Sequence, residues 1–251
     1  MKKVFALVDG RIERECRLSL ARQGFRVIPL PPHKALEEAV CSHTDLLLHY
    51  IGGELISSAQ YCEDNEALFT LLNKEIHSLK LGFCSDDISS PHPRDAALNA
   101  LVIGKNLYAR ADAVSTYILN KAGKMGLNFV AVKQGYPACT VLKLNENAAI
   151  TADAGMERAL LSRGVRVYKI DEGGILLPPY PYGFIGGAAG VYRNTVYFLG
   201  NPALHPSYEV IRDALEKEGL ISVSLGEGVL TDLGGILFIE EDVDESDDKR
   251  H

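Results

Sequence analysis

Cys139 is the one cysteine of five that lies in a loop leading closely into an apolar run, in the stretch Tyr136-Pro137-Ala138-Cys139-Thr140. A thiol there can act as a nucleophile once it loses its proton, or it can simply fill a small buried space, as free Cys commonly does. His43 and Asp45 flank Thr44 just ahead of another apolar run. At i and i+2 an imidazole and a carboxylate share one face of an extended segment, so the two can serve one cavity or form a polar linker. Asp95 and Asn99 bracket a third approach, where a carboxylate can grip a guanidinium through paired hydrogen bonds or cap a turn after Pro93. Asp232, ahead of Gly234-Gly235, is either a second carboxylate beside the same cavity or a turn former. No His-x-x-x-His or Cys-x-x-Cys spacing occurs, so no metal site and no cofactor are expected.

The glycines of residues 183–190 invite comparison with a dinucleotide-binding loop. That fingerprint must follow a strand and open a helix, whereas residues 191–199 read as a hairpin. The glycines there serve close approach of backbones instead. Tyr180 and Tyr182, in the Pro/Tyr/Gly-rich loop of residues 171–187, either wall a pocket mouth or pack the loop.

The elements that must position these groups recur. Residues 97–133, 140–170 and 188–225 each read as strand, tight turn, strand, polar cap, amphipathic helix, glycine and strand. In the second of these, Asn145-Glu146-Asn147 marks a hairpin, Asp153 a helix N-cap and Gly164 a helix stop. A less regular copy begins at Leu46. A fifth is split, its first strand at residues 235–240 and the remainder at residues 4–30. First strands expected near 46, 98, 140, 188 and 235 give a period of roughly 40–50 residues, the signature of a propeller, solenoid or array. A unit completed by both chain ends predicts a closed ring, an α/β fold of five pseudo-symmetric ββαβ units. Loops that lead into the innermost strands then converge at one end of the ring axis, which is where Cys139, His43, Asp95 and Asp232 fall.

Composition bounds the rest. A chain of 251 residues, 47% hydrophobic and 24% charged, suits an ordinary globule, here expected as one domain over residues 1–242 with an acidic, disordered tail over 243–251. A net charge of −7 without basic clusters argues against nucleic acid, and no apolar run is long enough to span a membrane. Five cysteines without paired spacing and no leader-like N-terminus predict a cytoplasmic protein.

A ring of five ββαβ units with a split last unit resembles the pentein fold of guanidino-group-modifying enzymes: arginine and agmatine deiminases, dimethylarginine hydrolases and amidinotransferases. A non-catalytic ribosome anti-association factor shares that fold. Pro93-Arg94-Asp95 and the run to Tyr108 resemble the Arg-Asp segment opening a unit in those enzymes, whose Asp helps hold the substrate guanidinium. Residues 136–153 resemble the next unit's opening. The resemblance implies a catalytic His before the strand near 188 and a catalytic Cys before the strand near 235. This chain has Gly186-Gly187-Ala188 and Asp232-Leu233-Gly234 there. The resemblance therefore implies one of two things. The first is a divergent hydrolase or deiminase acting on a guanidino or amidino small molecule, with Cys139 as relocated nucleophile, His43 as acid/base and Asp95 and Asp232 binding the cation. Asp45, Arg94, Asn99, Tyr136, Tyr182, Gly186 and Gly187 would then shape its pocket. The second is a catalytically silent relative that binds a small cation or a macromolecule.

Overall fold

Along the chain of the computed structural model, which describes residues 2–242, one three-stranded sheet recurs five times. The N-terminal part supplies β1 (Lys2–Asp9), α1 (Arg14–Arg22) and β2 (Arg26–Leu30). A one-turn helix, α2 (Thr44–Leu47), then leads into β3 (His49–Ile51), β4 (Glu54–Ser58), α3 (Ala59–Asp64), α4 (Glu66–Glu75) and β5 (Lys80–Cys84). A single 3₁₀ turn (Arg94–Ala96) precedes β6 (Leu101–Ile103), β7 (Asn106–Arg110), α5 (Thr116–Lys124) and β8 (Asn128–Val132). Helix α6 (Pro137–Thr140) precedes β9 (Val141–Asn145), β10 (Ala148–Thr151), α7 (Ala154–Leu161) and β11 (Arg166–Lys169). After the short strand β12 (Ile175–Leu176) come β13 (Ala189–Tyr192), β14 (Thr195–Phe198), α8 (Tyr208–Lys217) and β15 (Ile221–Ser224). The chain finishes with β16 (Leu230–Thr231) and β17 (Leu237–Asp242).

In each three-stranded sheet the first and second strands are antiparallel and the second and third are parallel, joined through the helices. The split unit obeys the same rule: β17 is antiparallel to β1, with Phe5 opposite Ile239, and β1 is parallel to β2. Alternation along the strands explains how the sheets cohere. Phe5 and Leu7 of β1 enter one hydrophobic cluster with Leu55 and Leu107, while Ala6 and Val8 face the opposite way into another with Tyr197 and Ile236. In the same way Ala148 and Ile150 of β10 pack beside Val196 and Phe198, and the intervening Ala149 packs beside Leu101 and Tyr108. A sheet that feeds a separate core on each face is apolar on both faces, which is why β1 and β10 read as near-continuous apolar runs.

Local chemistry sets the helix ends. Asp153 caps α7, its Oδ1 accepting from the Met156 N–H at 2.6 Å, and Gly164 follows at φ +78°, a left-handed value that suits glycine. The expected strand starts at 46, 98 and 140 are displaced. Leu46 and Leu47 lie in α2, Leu98 in a turn and Thr140 in α6, and the strands begin at His49, Leu101 and Val141. Buried apolar residues on one helical turn mimic the start of a strand over three residues, where a period of 3.6 cannot be told from 2. Helix α8 starts at Tyr208, two residues beyond Pro206. The acidic tail expected over 243–251 lies outside the described residues. No helix among the described residues is long and apolar enough to cross a membrane.

Candidate active site

The one-turn helices and turns ahead of the inner strands carry the reactive groups. α2 brings Asp45 with His43 at its N-cap, α6 brings Cys139, and the turn after β16 brings Asp232. They meet at one end of a cavity of about 310 Å³, which the Asp95 carboxylate and the Tyr136, Tyr182 and Phe184 rings also line. Asp232 is wholly buried and satisfied: Oδ2 accepts from the Phe184 N–H at 2.8 Å and Oδ1 from the Gly234 N–H at 3.0 Å. The Cys139 thiol donates to the same carboxylate, at 3.3 and 3.4 Å from its oxygens. His43 Nδ1 stands 3.9 Å from Asp232 Oδ1, and its Nε2 has no hydrogen-bond partner among the described residues. Asp45 is held from behind. Asn99 Nδ2 donates to its Oδ2 at 3.0 Å, and Asn99 Oδ1 accepts from the Ala138 N–H at 2.9 Å, while Asp45 Oδ1 has no hydrogen-bond partner among the described residues. Asp45 also borders a broader cavity of about 580 Å³ on the other side, so it stands between two openings.

The electrostatics follow from two carboxylates and deep burial. Burial pushes the Cys139 thiol well above its ordinary value, and the charges of Asp232 and Asp45 push it further. Burial also raises Asp45, opposed by His43 and reinforced by Asp232. The resting thiol is therefore protonated, and a positive charge entering the cavity would lower its pKa.

Asp95 sits on the far wall, buried, with the Tyr136 hydroxyl donating to Oδ2 at 2.6 Å and His92 Nδ1 at 3.1 Å from Oδ1. Arg110 Nη1 donates to His92 Nε2 at 3.0 Å, which makes Nδ1 the protonated nitrogen and the donor to Asp95. Burial and the Asp95 hydrogen bond drive the Tyr136 phenol far above its usual range. His92 and Glu37, which accepts from the Tyr180 hydroxyl, went unnoticed in the sequence. Both lie in connecting segments with no periodicity, and the only signal for His92 is its i,i+3 spacing to Asp95.

The expected site residues thus divide. Cys139, His43, Asp45, Asp95, Asp232, Tyr136 and Tyr182 border one cavity. Asn99 is buried behind it as a brace. Arg94 points elsewhere: it is exposed and its Nη2 donates weakly to Ser90 O at 3.5 Å, because it occupies the outward side of the 3₁₀ turn. Gly186 and Gly187 allow backbones and side chains to approach closely. A Cβ on Gly186 would lie 2.5 Å from the carbonyl oxygens of Ala138 and Val141; one on Gly187 would lie 1.9 Å from Asp232 Oδ1 and 2.7 Å from Cys139 Sγ. Gly234 is equally crowded, by His43 Cβ and Asp45 Oδ1 at 2.7 Å. At Gly187 and Gly234, where the resemblance implied His and Cys nearby, the space is already filled by the other groups of this site.

Solved structures of similar architecture include enzymes of the pentein fold. A Cys-to-Ser variant of DDAH from Pseudomonas aeruginosa, complexed with citrulline, matches with a TM-score of 0.58 at 11% identity, over 96% of this chain and 99% of that one. Agmatine deiminase from C. jejuni matches at 0.56 and 10% identity, over 90% and 91%. An amidinotransferase from Microseira wollei matches at 0.52 and 12%, over 88% and 74%. At these identities the likeness is one of fold. No curated protein sequence matches. A family model described as a family of unknown function, DUF6873, matches residues 7–237.

Proposed function

For this chain, which belongs to the family of unknown function DUF6873, we propose a closed five-unit pentein ring, one domain over residues 1–242, that hydrolyses a C–N bond of a small guanidino or amidino compound. The observation that carries this reading is the Cys139 thiol on a buried carboxylate, in a cavity bordered by further carboxylates and aromatic rings. Such a lining suits a planar organic cation, which carboxylates pair with bidentately and ring faces attract. The cation would supply what the resting thiol lacks. Its charge offsets Asp232 and Asp45, so the thiol passes its proton to His43 when the substrate is bound. The thiolate then adds to the amidinium carbon, and His43 delivers the proton with which the amine leaves. Water, deprotonated by His43, attacks the remaining S-amidino group and releases a urea-type product and the thiol. Asn99 and Asp232 act as positioning residues for Asp45 and Cys139.

The experiment is incubation of the protein, in chelator, with L-arginine, agmatine and methylguanidine, reading ammonium, released amine and melting temperature. Expected are a raised melting temperature with at least one compound and product release that Cys139→Ala abolishes. Release that survives Cys139→Ala would remove the nucleophile. A second reading, a silent binder, is favoured by the elevated thiol pKa; it predicts the melting shift without any release. No shift with any of the three counts against both.

A further inference from the structure

We infer that His43, Asp45 and Cys139 form a site for a zinc-type divalent metal ion. One ring nitrogen of His43, a carboxylate oxygen of Asp45 and Cys139 Sγ all lie within 4.8 Å of one another. No sequence spacing announces them, because α2 and α6 bring them together from separate units. Thiolate, imidazole and carboxylate together are a zinc donor set, with bonds of about 2.0–2.3 Å. Ligand atoms of a tetrahedral ion at those lengths stand about 3.3–3.7 Å apart, so the cluster needs an inward movement of about 1 Å to close on the ion.

Each ligand is fixed on one side and free on the other. Asp45 Oδ2 is held by Asn99, leaving Oδ1 without a hydrogen-bond partner among the described residues and with its surface shielded from solvent. His43, 2% exposed, has Nδ1 toward Asp232 and Nε2 without a hydrogen-bond partner among the described residues. The Cys139 thiol donates to Asp232, and that hydrogen bond is lost with the thiol proton. Asp232, already engaged by two backbone N–H groups, stays beside the ligands as the carboxylate that orients them. An ion here also answers an electrostatic need, since it neutralises a thiolate and a carboxylate packed against a second buried carboxylate. Three protein ligands leave a fourth position on the side of the cavity of about 310 Å³ that all three border. A metal-bound Cys139 is no longer free to attack carbon, so the metal and a guanidinium ion exclude one another.

The test is titration of chelator-treated protein with Co²⁺ and then with competing Zn²⁺. Expected are one equivalent of Co²⁺ with a thiolate-to-cobalt charge-transfer band, release of one proton per ion, and affinity that rises with pH as the thiol becomes easier to ionise. Cys139→Ser should abolish the band while Cys41→Ser keeps it. His43→Gln and Asp45→Asn should weaken Zn²⁺ by more than the about 10–100-fold that loss of a ligand's supporting partner costs. Circular dichroism in chelator checks that each variant is folded, and Asp45→Asn, nearly isosteric, remains informative if His43→Gln is not. Absence of the band in folded wild type, or Zn²⁺ affinity unaltered in both Cys139→Ser and Asp45→Asn, overturns the site. The metal site is independent of the proposed substrate: protein that binds Co²⁺ but none of the guanidino compounds keeps the former and loses the latter.

Discussion

Cys139 illustrates how a residue's neighbours, rather than its type, set its chemistry. Its thiol is suppressed by burial and by two carboxylates, so its reactivity is conditional on positive charge. The sign of one consequence is fixed. Asp232→Asn removes a charge and a carboxylate acceptor that both favour the protonated thiol, so the thiol pKa falls and the thiolate fraction at pH 8 rises. Alkylation of Cys139 by iodoacetamide, followed by peptide mass spectrometry, should then accelerate, by about three- to fourfold for each unit of pKa lost; an unchanged or slower rate would show that Asp232 does not control this sulfur. Cys139, His43, Asp95 and Asp232 were identifiable in the sequence because each sits just ahead of an inner strand. Whether they meet was not, and neither were the partners His92 and Asn99 bring. The Tyr136–Asp95, Asn99–Ala138 and Cys139–Asp232 contacts join residues 39 to 93 positions apart and leave no local pattern.

At the scale of elements, the site depends on short helical turns and on glycines that allow three lead-in segments to crowd together. Gly187 is the tightest point: its N–H donates to Cys139 O at 3.0 Å, and its carbonyl accepts from Leu233 and Gly235 at 2.9 and 2.8 Å. Gly187→Ala pushes a methyl into Asp232 and Cys139, and should destabilise the fold by about 1–3 kcal/mol, as overpacking does. Urea denaturation measures this, and a variant as stable as wild type would mean that the segments do not meet so closely. The hairpin and N-cap of the unit that includes α7 were legible because Asn, Asp and Gly act on their immediate neighbours. The one-turn helices α2 and α6 were not, because four residues carry too little periodicity to separate a helical turn from a strand.

For the whole molecule, the pairing of the two chain ends is the decisive feature. β17 lies antiparallel to β1 over six residue pairs, and Ile239, 2% exposed, packs in the largest hydrophobic cluster beside residues from several units. Ile239→Ala, near the C-terminus where substitutions are commonly tolerated, should therefore cost about 2–5 kcal/mol, read by calorimetry or denaturant; a loss within about 0.5 kcal/mol, typical of a surface position, would mean that β17 is an appendage. By itself the sequence determined the repeating strand-turn-strand-helix-strand unit, the division of the last unit between the two ends and the segments where polar groups must gather, since all of these follow from periodicity and turn chemistry along the chain. Only the tertiary structure decided that His43, Asp45, Cys139 and Asp232 share one cluster, that Arg94 stays outside it, and that the space beside Gly187 and Gly234 is filled by the other groups of the site. These outcomes depend on distances between units, which are set by how neighbouring sheets share their cores, and local propensity along a chain carries no record of such distances.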